Sequence, residues 1–408
     1  MKKAEPDGSW YTSLMRILMN KKGILAILAG VVALAAITAF LLTATRKPLV
    51  VLYGLSDPAI AAIEREAGPS FRFMVIGGDK PISARKRDIS KADLVFMHDG
   101  KAASEVGANA VAPDESVLAL MPSAMREAGK SGTRRYGLPI LFDHFEIDWN
   151  VSLIGGRGLA KPNTLTELVK VSNAIKGKNL WPIVCAGGND EDLLDFAGAL
   201  VISESGLDAY EQLVTAASEG KPFAELVKST ALKKSLDTLI DWRKSGIIHP
   251  EWFRMKSADV QAFMQMDYSC FFAMSLSSHR LLDHKIAEKV LTIDFPTDRK
   301  ELDRGILAPA IVAIEPRHGM PGNGAAHRFA ATLAQGTAQA NISGGSGLAP
   351  ANSNATVADK QADDARFWVA ASRKPFPDPA TAALSDPSAR AALAAAIRQY
   401  LEFDGMIN

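Results

Sequence analysis

Four titratable side chains stand within six residues of an apolar run, "PILFDHFEIDWN": Asp143, His144, Glu146 and Asp148. Carboxylates and imidazoles are the groups that ligate divalent metals or transfer protons in catalysis. Because side chains in a strand alternate between two faces, His144, Glu146 and Asp148 share one face and Asp143 lies on the other. His144 and Glu146, at i and i+2, have a spacing that would suit a metal ion.

Two interpretations of this run compete. No further His or Cys cluster stands nearby to complete a metal site, so we expect the face of His144 to be a solvated surface where a strand passes from one lobe to another. Asp143 differs, because it is the lone polar group on an otherwise apolar face and must find a partner. That partner is either a ligand or a backbone amide.

The surrounding segments predict the elements that position these residues. Leu49 to Tyr53 reads as a strand, and Asp57-Pro58 begins a helix with Asp57 as its N-cap. The runs "FRFMVIGG" and "ADLVFMHDG" read as the next two strands. Later apolar runs, "WPIVCAG", "SCFFAMSLSS" and "GILAPAIVAIEP", alternate with amphipathic helices. This rhythm predicts an α/β fold with a largely parallel sheet.

Ligands of parallel α/β sheets bind where strands end and loops begin. The loops that qualify are "YGLSD", "MHDG", "PILFD", "CAGGND", "MSLSSHR" and "SGGSG". They are rich in groups that hydrogen-bond a polar ligand, although ordinary turns have the same composition. His98-Asp99 would suit an acid/base pair, but a capped turn is the simpler interpretation. The Gly-rich "GGSGLAP" lacks the residues of a phosphate-binding loop and is interpreted as a turn.

Composition and motifs exclude several functional classes. The net charge of +1 over 408 residues gives no basic surplus for nucleic acid. The chain has no GxSxG or HExxH motif and no GxGxxG in the right context, so we expect no catalytic residues, no cofactor and no metal. Cys185 and Cys270 fit no metal spacing. Two buried free thiols are expected, with a single disulfide as the alternative.

One segment does not read as globular. Gly23 to Thr43 is uncharged and about as long as a helix that crosses a bilayer. Five basic residues precede it and two follow closely, which places residues 1–22 in the cytoplasm and the rest outside. We therefore expect a single-pass anchor (23–43) in the inner, cytoplasmic membrane, with a periplasmic or extracellular C-terminal part. A cleaved signal peptide is the alternative; the apolar run is long for one.

In their order, several segments resemble the extracellular solute-binding proteins of ABC importers, the family 1 group that includes maltose-binding protein. "YGLPILFDHFEIDWNVSLI" is similar to the family's Tyr-Gly-Leu-Pro segment, which leads into a crossover strand. "KPNTLTELVKVSNAIKG" is similar to its Pro-x-Thr-x-x-Glu-Leu helix, and "WRKSGIIHP" to its Gly-x-Ile-x-Pro turn. "FMQMDYSCFFAMSLSS" and "GNGAAHRFAATLAQGTAQANISGGSGLAPANSNA" match later stretches. The resemblance covers roughly Pro48 to the C-terminus.

This resemblance implies a two-lobe, type II periplasmic-binding-protein-like fold with crossover hinge strands and a ligand cleft. The expected first lobe is 48–143 plus about 307–345, and the second is about 144–306 plus 346–408. The resemblance, together with the strand-end loops, suggests a set of ligand-binding residues in the cleft. They are Asp143, Asp57, Tyr53, His98, Asp99, Ser275, Ser277, His279 and Ser346.

Two functions follow. The first is a membrane-anchored substrate-binding protein that delivers a small polar solute, a sugar in most of the family, to ABC permease subunits. The second is an interaction or sensory module that keeps the fold and docks envelope proteins. The chain is only 7% aromatic, and "MSLSSHR" stands where sugar binders often carry Trp or Tyr. Sugar is therefore an inference from the family. A formed polar cleft would favour the first function, and a closed or apolar-filled cleft the second.

Overall fold

Two β-sheets organise the chain in the computed structural model. The structure describes residues 25, 28–34, 47–177, 180–228, 230–299, 304–316, 324–357 and 359–406. The predicted anchor, Gly23 to Thr43, and the segment 1–22 before it lie mostly or wholly outside these residues. Among the described residues, no helix combines the length and the hydropathy that a bilayer span requires.

The larger sheet has six strands in the order β13-β6-β12-β3-β1-β2. In chain order these are β1 (Leu49–Tyr53), β2 (Arg72–Ile76), β3 (Leu94–His98), β6 (Leu138–Phe142), β12 (Ala310–Ile314) and β13 (Ala349–Pro350). The first three strands are the predicted ones. β1 is buried on both faces, as an apolar run without alternation predicts.

The smaller sheet has four strands in the order β10-β7-β9-β8. They are β7 (Phe145–Asn150), β8 (Trp181–Cys185), β9 (Ser269–Ser275) and β10 (Val290–Asp294). A separate apolar core packs on this sheet and includes Phe145, Phe196 and Trp252. The core of the six-stranded sheet includes Phe96, Phe142 and Phe329. The two sheets thus define a first lobe (six strands) and a second lobe (four strands).

Most of the helices cover these sheets. The helices of the first half are α1 (Asp57–Ala67), α2 (Ile82–Ile89), α3 (Lys101–Val106), α4 (Glu115–Leu118), α5 (Val151–Gly155), α6 (Leu165–Ile175), α7 (Asp190–Ser205) and α8 (Leu207–Ser218). Those of the second half are α9 (Phe223–Leu226), α10 (Thr230–Lys244), α11 (Ser257–Gln265), α12 (Leu276–Arg280), α13 (His284–Ala287), α14 (Ala325–Leu333), α15 (Gly336–Ser346), α16 (Lys360–Ala371), α17 (Pro379–Ala383) and α18 (Pro387–Glu402).

The chain passes between the lobes at three places. The run "PILFDHFEIDWN" is two strands, β6 and β7, in different sheets, with Asp143 and His144 between them. The second crossing is β11 (Gly305–Leu307), and the third is β14 (Lys374–Phe376). β11 and β14 pair in parallel as a two-stranded ribbon. The only other strands of the described residues, β4 (Lys130–Ser131) and β5 (Arg134–Arg135), form a short hairpin.

The expectation of a largely parallel sheet was wrong. β1 pairs in parallel with β2 and β3, but β12 runs antiparallel to both β3 and β6. Strand β12 enters the six-stranded sheet from the second lobe, at the edge where β3 and β6 end. A strand that enters the sheet where β3 and β6 end must run antiparallel to both of them. A chain that returns from the second lobe in this way therefore makes the six-stranded sheet mixed.

The assignment of residues 346–408 to the second lobe also needs correction. β13 pairs with β6, and Ala362, Ala365 and Val369 of α16 pack into the core of the six-stranded sheet. The chain returns to the second lobe only at β14, after which α17 and α18 pack on the core of the four-stranded sheet. Cys185 and Cys270 are buried free thiols, as predicted.

Candidate functional site

A cavity of about 260 Å³ lies between the two lobes. The first lobe lines it with the ends of β1 and β3, at Tyr53, His98 and Asp99. The second lobe lines it with the first turns of α7 and with α17 and α18. Parallel strands β1 and β3 end at the same sheet edge, which explains why Tyr53 and His98 meet there.

The first-lobe wall holds one aromatic ring and two polar groups. The Tyr53 hydroxyl donates to the carbonyl oxygen of Lys80 at 2.5 Å, which fixes the ring. The Asp99 carboxylate accepts a hydrogen bond from the Tyr136 hydroxyl. Burial, and then the Arg390 guanidinium, lower the pKa of His98 to about 4, so this imidazole is neutral at pH 7. Within the described residues, the His98 ring makes no hydrogen bond.

Helix α7 supplies the acidic side of the second-lobe wall. Its first turn carries Asp190, Glu191 and Asp192, which favours a helix N-terminus because of the helix dipole. Asp190 is paired with Arg398 at 2.6 Å. Asp195, one turn later, is 6% exposed and lines the cavity. In the described part of the chain, neither Glu191 nor Asp195 has a hydrogen-bonding or ion-pair partner.

Helices α17 and α18 complete the wall. Asp378 caps α17 by accepting the backbone N–H groups of Ala380 at 2.8 Å and Thr381 at 3.1 Å. Arg390 donates weakly to the Thr381 hydroxyl at 3.4 Å. The Arg390 Nε is buried and has no hydrogen-bond partner among the described residues. The protein thus encloses this unpaired donor, whereas the Asp195 carboxyl group lines the cavity without a partner among the described residues.

The electrostatics of this cavity are acidic. Burial raises the pKa of Asp195 well above its ordinary value, and the carboxylates of Asp378, Glu191, Asp192 and Asp143 raise it further. Glu191 remains accessible from the cleft, but desolvation by the surrounding protein raises its pKa to about 7, with smaller contributions from Asp143 and other acids. Each ionised carboxylate at this site therefore makes ionisation of its neighbours less favourable.

The two lobes also touch beside the cavity. Gly100, at the start of α3, has a φ of +134°, a conformation that residues with a side chain rarely adopt. A Cβ atom at this position would overlap the carbonyl oxygen of Thr381 in α17. Glycine is therefore required at position 100 for the two lobes to approach this closely.

Asp143, the residue most favoured by sequence, does not line the cavity. Its Oδ1 accepts the backbone N–H groups of His144 at 2.8 Å and Ser277 at 3.0 Å, and its Oδ2 accepts the Ser277 hydroxyl. Of the two partners considered from sequence, the structure supplies the backbone amide. Asp143 thereby connects the β6–β7 crossover to the start of α12.

The solvated-face interpretation of His144, Glu146 and Asp148 was wrong, because all three are fully buried. Helices α12 and α16 cover them. His144 lies 3.3 Å from Glu146 and 3.2 Å from Asp294, and Gln361 of α16 donates to Glu146 at 2.5 Å. A buried polar group needs hydrogen-bond partners, and this network supplies them to His144 and Glu146 from both lobes, while Asp148 Oδ2 makes no hydrogen bond among the described residues.

Three members of this network could ligate a metal ion. Ligand atoms of Glu146, Asp148 and His279 lie within 4.8 Å of one another. However, His279 Nδ1 is 2.6 Å from Asp148 Oδ2, a direct contact distance. Burial alone would lower the pKa of His279, but the Asp148 and Glu146 carboxylates raise it overall. His279 and Asp148 therefore form a buried ion pair, with the Glu146 carboxyl group 3.9 Å from the same imidazole nitrogen.

The other predicted site residues are dispersed. Asp57 is exposed in the first turn of α1. Ser275 is the N-cap of α12, where its hydroxyl accepts from the Ser278 N–H at 3.2 Å. Ser346 is not in a loop but at the end of helix α15, and it accepts from the Leu348 N–H at 3.2 Å. Of the predicted set, only Tyr53, His98 and Asp99 line the cavity.

Sequence reasoning missed Glu191, Asp195, Asp378 and Arg390. A partial signal existed for α7, because "CAGGND" was one of the strand-end loops and the acidic turn follows directly. Arg390 lies in an Ala-rich helical pattern far along the chain, and nothing in that pattern indicates a site.

Neither a protein-family model nor a curated protein matches this chain. Solved structures do match. The chain is similar to the bacterial solute receptor AcbH, which has an exclusive preference for β-D-galactopyranose, with a TM-score of 0.69 and 12% identity over 88% of this chain and 98% of that one. It is similar to a chitin oligosaccharide binding protein, with a TM-score of 0.64 and 17% identity over 87% and 97%.

A sugar transporter from Bacillus licheniformis in complex with stachyose also matches, with a TM-score of 0.61 and 14% identity over 88% of this chain and 96% of that one. At these identities the likeness concerns the fold. The chain has the mixed α/β, two-lobe fold of solute-binding proteins, and the match spans nearly the whole length of each of these structures.

Proposed function

We propose that this chain is the substrate-binding component of an ABC importer and captures a small carbohydrate between its lobes. The observation that carries the proposal is the cavity between the lobes, which is lined by two polar groups that lack partners among the described residues: the Asp195 carboxyl group and the ring of His98. Such groups are costly to bury unless a bound molecule supplies their hydrogen bonds.

The size and lining of the cavity support a small sugar. Its 260 Å³ lies just below the roughly 300–1,000 Å³ of pockets for drug-sized ligands, which suits a ligand of monosaccharide size. The polar lining offers hydrogen bonds to the hydroxyl groups of a sugar. The similar structures include receptors for galactopyranose and stachyose. An apolar-filled cleft would have favoured the interaction module, and no observation favours it.

Membrane attachment and location belong to the proposal as well. The uncharged run Gly23 to Thr43 and the basic residues before it support an uncleaved anchor with the binding lobes outside the cytoplasm. N-terminal sequencing of the native protein tests this directly. An intact N-terminus supports the anchor, and a start near Thr45 would mean a cleaved signal peptide.

Binding is tested on the full-length protein in detergent. A panel of mono-, di- and trisaccharides is screened by thermal shift, and hits are titrated by calorimetry. A ligand that binds the folded state raises the melting temperature by mass action. A variant that fills the cavity, Ala102→Trp, should abolish the shift. Glu105→Trp, exposed on the same helix, is the matched control and should keep it. If no saccharide stabilises the protein, the proposal fails.

A further inference from the structure

The lining of the cavity between the lobes has an excess of acidic groups over basic ones, and a neutral sugar would not offset their negative charge. Five carboxyl groups line it, against the single guanidinium of Arg390 among its lining residues. The carboxyl groups are those of Asp99, Asp190, Glu191, Asp195 and Asp378.

Three of these carboxyl groups already have hydrogen-bond or ion-pair partners within the protein. Asp190 is paired with Arg398, Asp378 caps α17, and Asp99 accepts the Tyr136 hydroxyl. Glu191 and Asp195 remain without partners within the described residues. Asp195 is only 6% exposed. A carboxylate that is ionised and buried is stable only with a charged or hydrogen-bonding partner, so Asp195 needs such a partner from a ligand. Arg390 is the one guanidinium of the cavity lining, and within the described residues it forms no ion pair or hydrogen bond with Asp195.

We propose that the ligand of this cavity carries a positively charged amine, and that Asp195 and Glu191 receive its ammonium group. The inference rests on the proposed function and names the class of sugar: an amine-bearing monosaccharide. An ammonium group brings three N–H donors and one positive charge. It satisfies the unpaired acceptors and offsets the excess negative charge, whereas a neutral hydroxyl offers one donor and no charge. Hydroxyl groups on the rest of the ring would meet His98.

The test uses matched sugars that differ only in charge. The full-length protein is titrated by calorimetry at pH 7.5 with D-glucosamine and D-galactosamine, with D-glucose and D-galactose, and with the N-acetyl forms, which keep the nitrogen but not the charge. Hydrogen bonds to charged groups are worth roughly 1.5–3 kcal/mol, which corresponds to about tenfold to a hundredfold in affinity. We expect one amino sugar to bind at least about tenfold more tightly than its neutral and N-acetyl counterparts.

Two variants locate the ammonium group. Asp195→Asn keeps the shape of the side chain and should remove most of the preference for the amine over the neutral sugar. Glu191→Gln should remove part of it. Asp208→Asn, on the exposed first turn of the next helix, is the control and should change nothing. Melting temperatures of the unliganded variants verify that each one folds.

The outcomes separate this inference from the proposed function. If a neutral hexose binds as tightly as its amino form, the inference fails and the proposed function stands. If the amine preference survives Asp195→Asn, the inference is overturned, because the ammonium group binds elsewhere. If the proposed function itself fails, no sugar of the wider panel, charged or neutral, will bind.

Discussion

The carboxylate of Asp143 accepts two hydrogen bonds from Ser277, one from its backbone N–H at 3.0 Å and one from its hydroxyl. Asp143 lies at the crossover from β6 to β7, and Ser277 lies in α12, 134 residues further along the chain. One side chain thereby holds together a crossing between the lobes and the helix that covers the buried polar network.

Asp143→Ala should destabilise the protein by about 2–4 kcal/mol, because it leaves the N–H groups of His144 and Ser277 without an acceptor. Ser277→Ala removes only the hydroxyl and should cost about 1 kcal/mol. Urea unfolding of both single variants and the double variant measures their coupling. Asp57→Ala, exposed in α1, is the control. If Asp143→Ala kept wild-type stability but lost sugar affinity, Asp143 would belong to the ligand site after all.

Glu146 should make stability depend on pH. Burial raises its pKa to about 7, although the hydrogen bond from His144 opposes this effect. A carboxyl group whose pKa is raised in the folded state stabilises the protein at low pH and loses that contribution as pH rises through the folded pKa. Its contribution should therefore fall by on the order of 3 kcal/mol between about pH 4.5 and 7.

Glu146→Gln removes this titration. Denaturant unfolding at pH 5 and pH 8 should show a smaller difference in the variant than in the wild type. The exposed Glu219→Gln, treated in the same way, should behave as the wild type. An unchanged pH dependence in Glu146→Gln would mean that this carboxyl group keeps an ordinary pKa in the folded protein.

Gly100→Ala should weaken ligand binding without touching the ligand, because the added Cβ would overlap the Thr381 carbonyl oxygen and hold the lobes apart. Gly68→Ala is the matched control: Gly68 also has a positive φ, +67°, but a Cβ atom added there would meet no other atom within 4 Å. Both variants carry backbone strain, so both should lose some thermal stability. Only Gly100→Ala should also lose sugar affinity, measured by calorimetry, and equal affinities would refute the steric explanation.

Asp195→Asn should stabilise the unliganded protein, and more so at pH 8 than at pH 5. The raised pKa of Asp195 means that its ionisation in the folded state is unfavourable, and asparagine does not ionise. Melting temperatures across this pH range measure the effect, with Asp208→Asn as the surface control. A variant that is less stable than the wild type at pH 8 would show that Asp195 is already stabilised as an anion.

Local pattern was enough to predict β1, β2, β3 and β12 of the first lobe and the crossover at "PILFDHFEIDWN", but not β13, which lies in the stretch interpreted as a turn. It was not enough to predict which residues cover one another. His144, Glu146 and Asp148 looked solvent-facing because their partners, Gln361 of α16 and His279 of α12, lie far away in sequence. Likewise, Arg390 reaches the cavity only because α18 packs on the core of the four-stranded sheet with its first turn at the cavity. Tyr53, His98 and Asp99 were predictable, since the ends of neighbouring strands share one sheet edge.

The strand order of the six-stranded sheet has a consequence for how the chain is synthesised. β3 and β6 do not pair with each other; each pairs with β12, which lies more than 160 residues after β6. Until Ala310–Ile314 has left the ribosome, β3 keeps an open apolar edge and β6 has no neighbour in the sheet. Unpaired edges of this kind promote association between nascent chains. Productive folding of the first lobe is therefore late and non-local, and chaperones that shield exposed strands of the nascent chain should determine its yield.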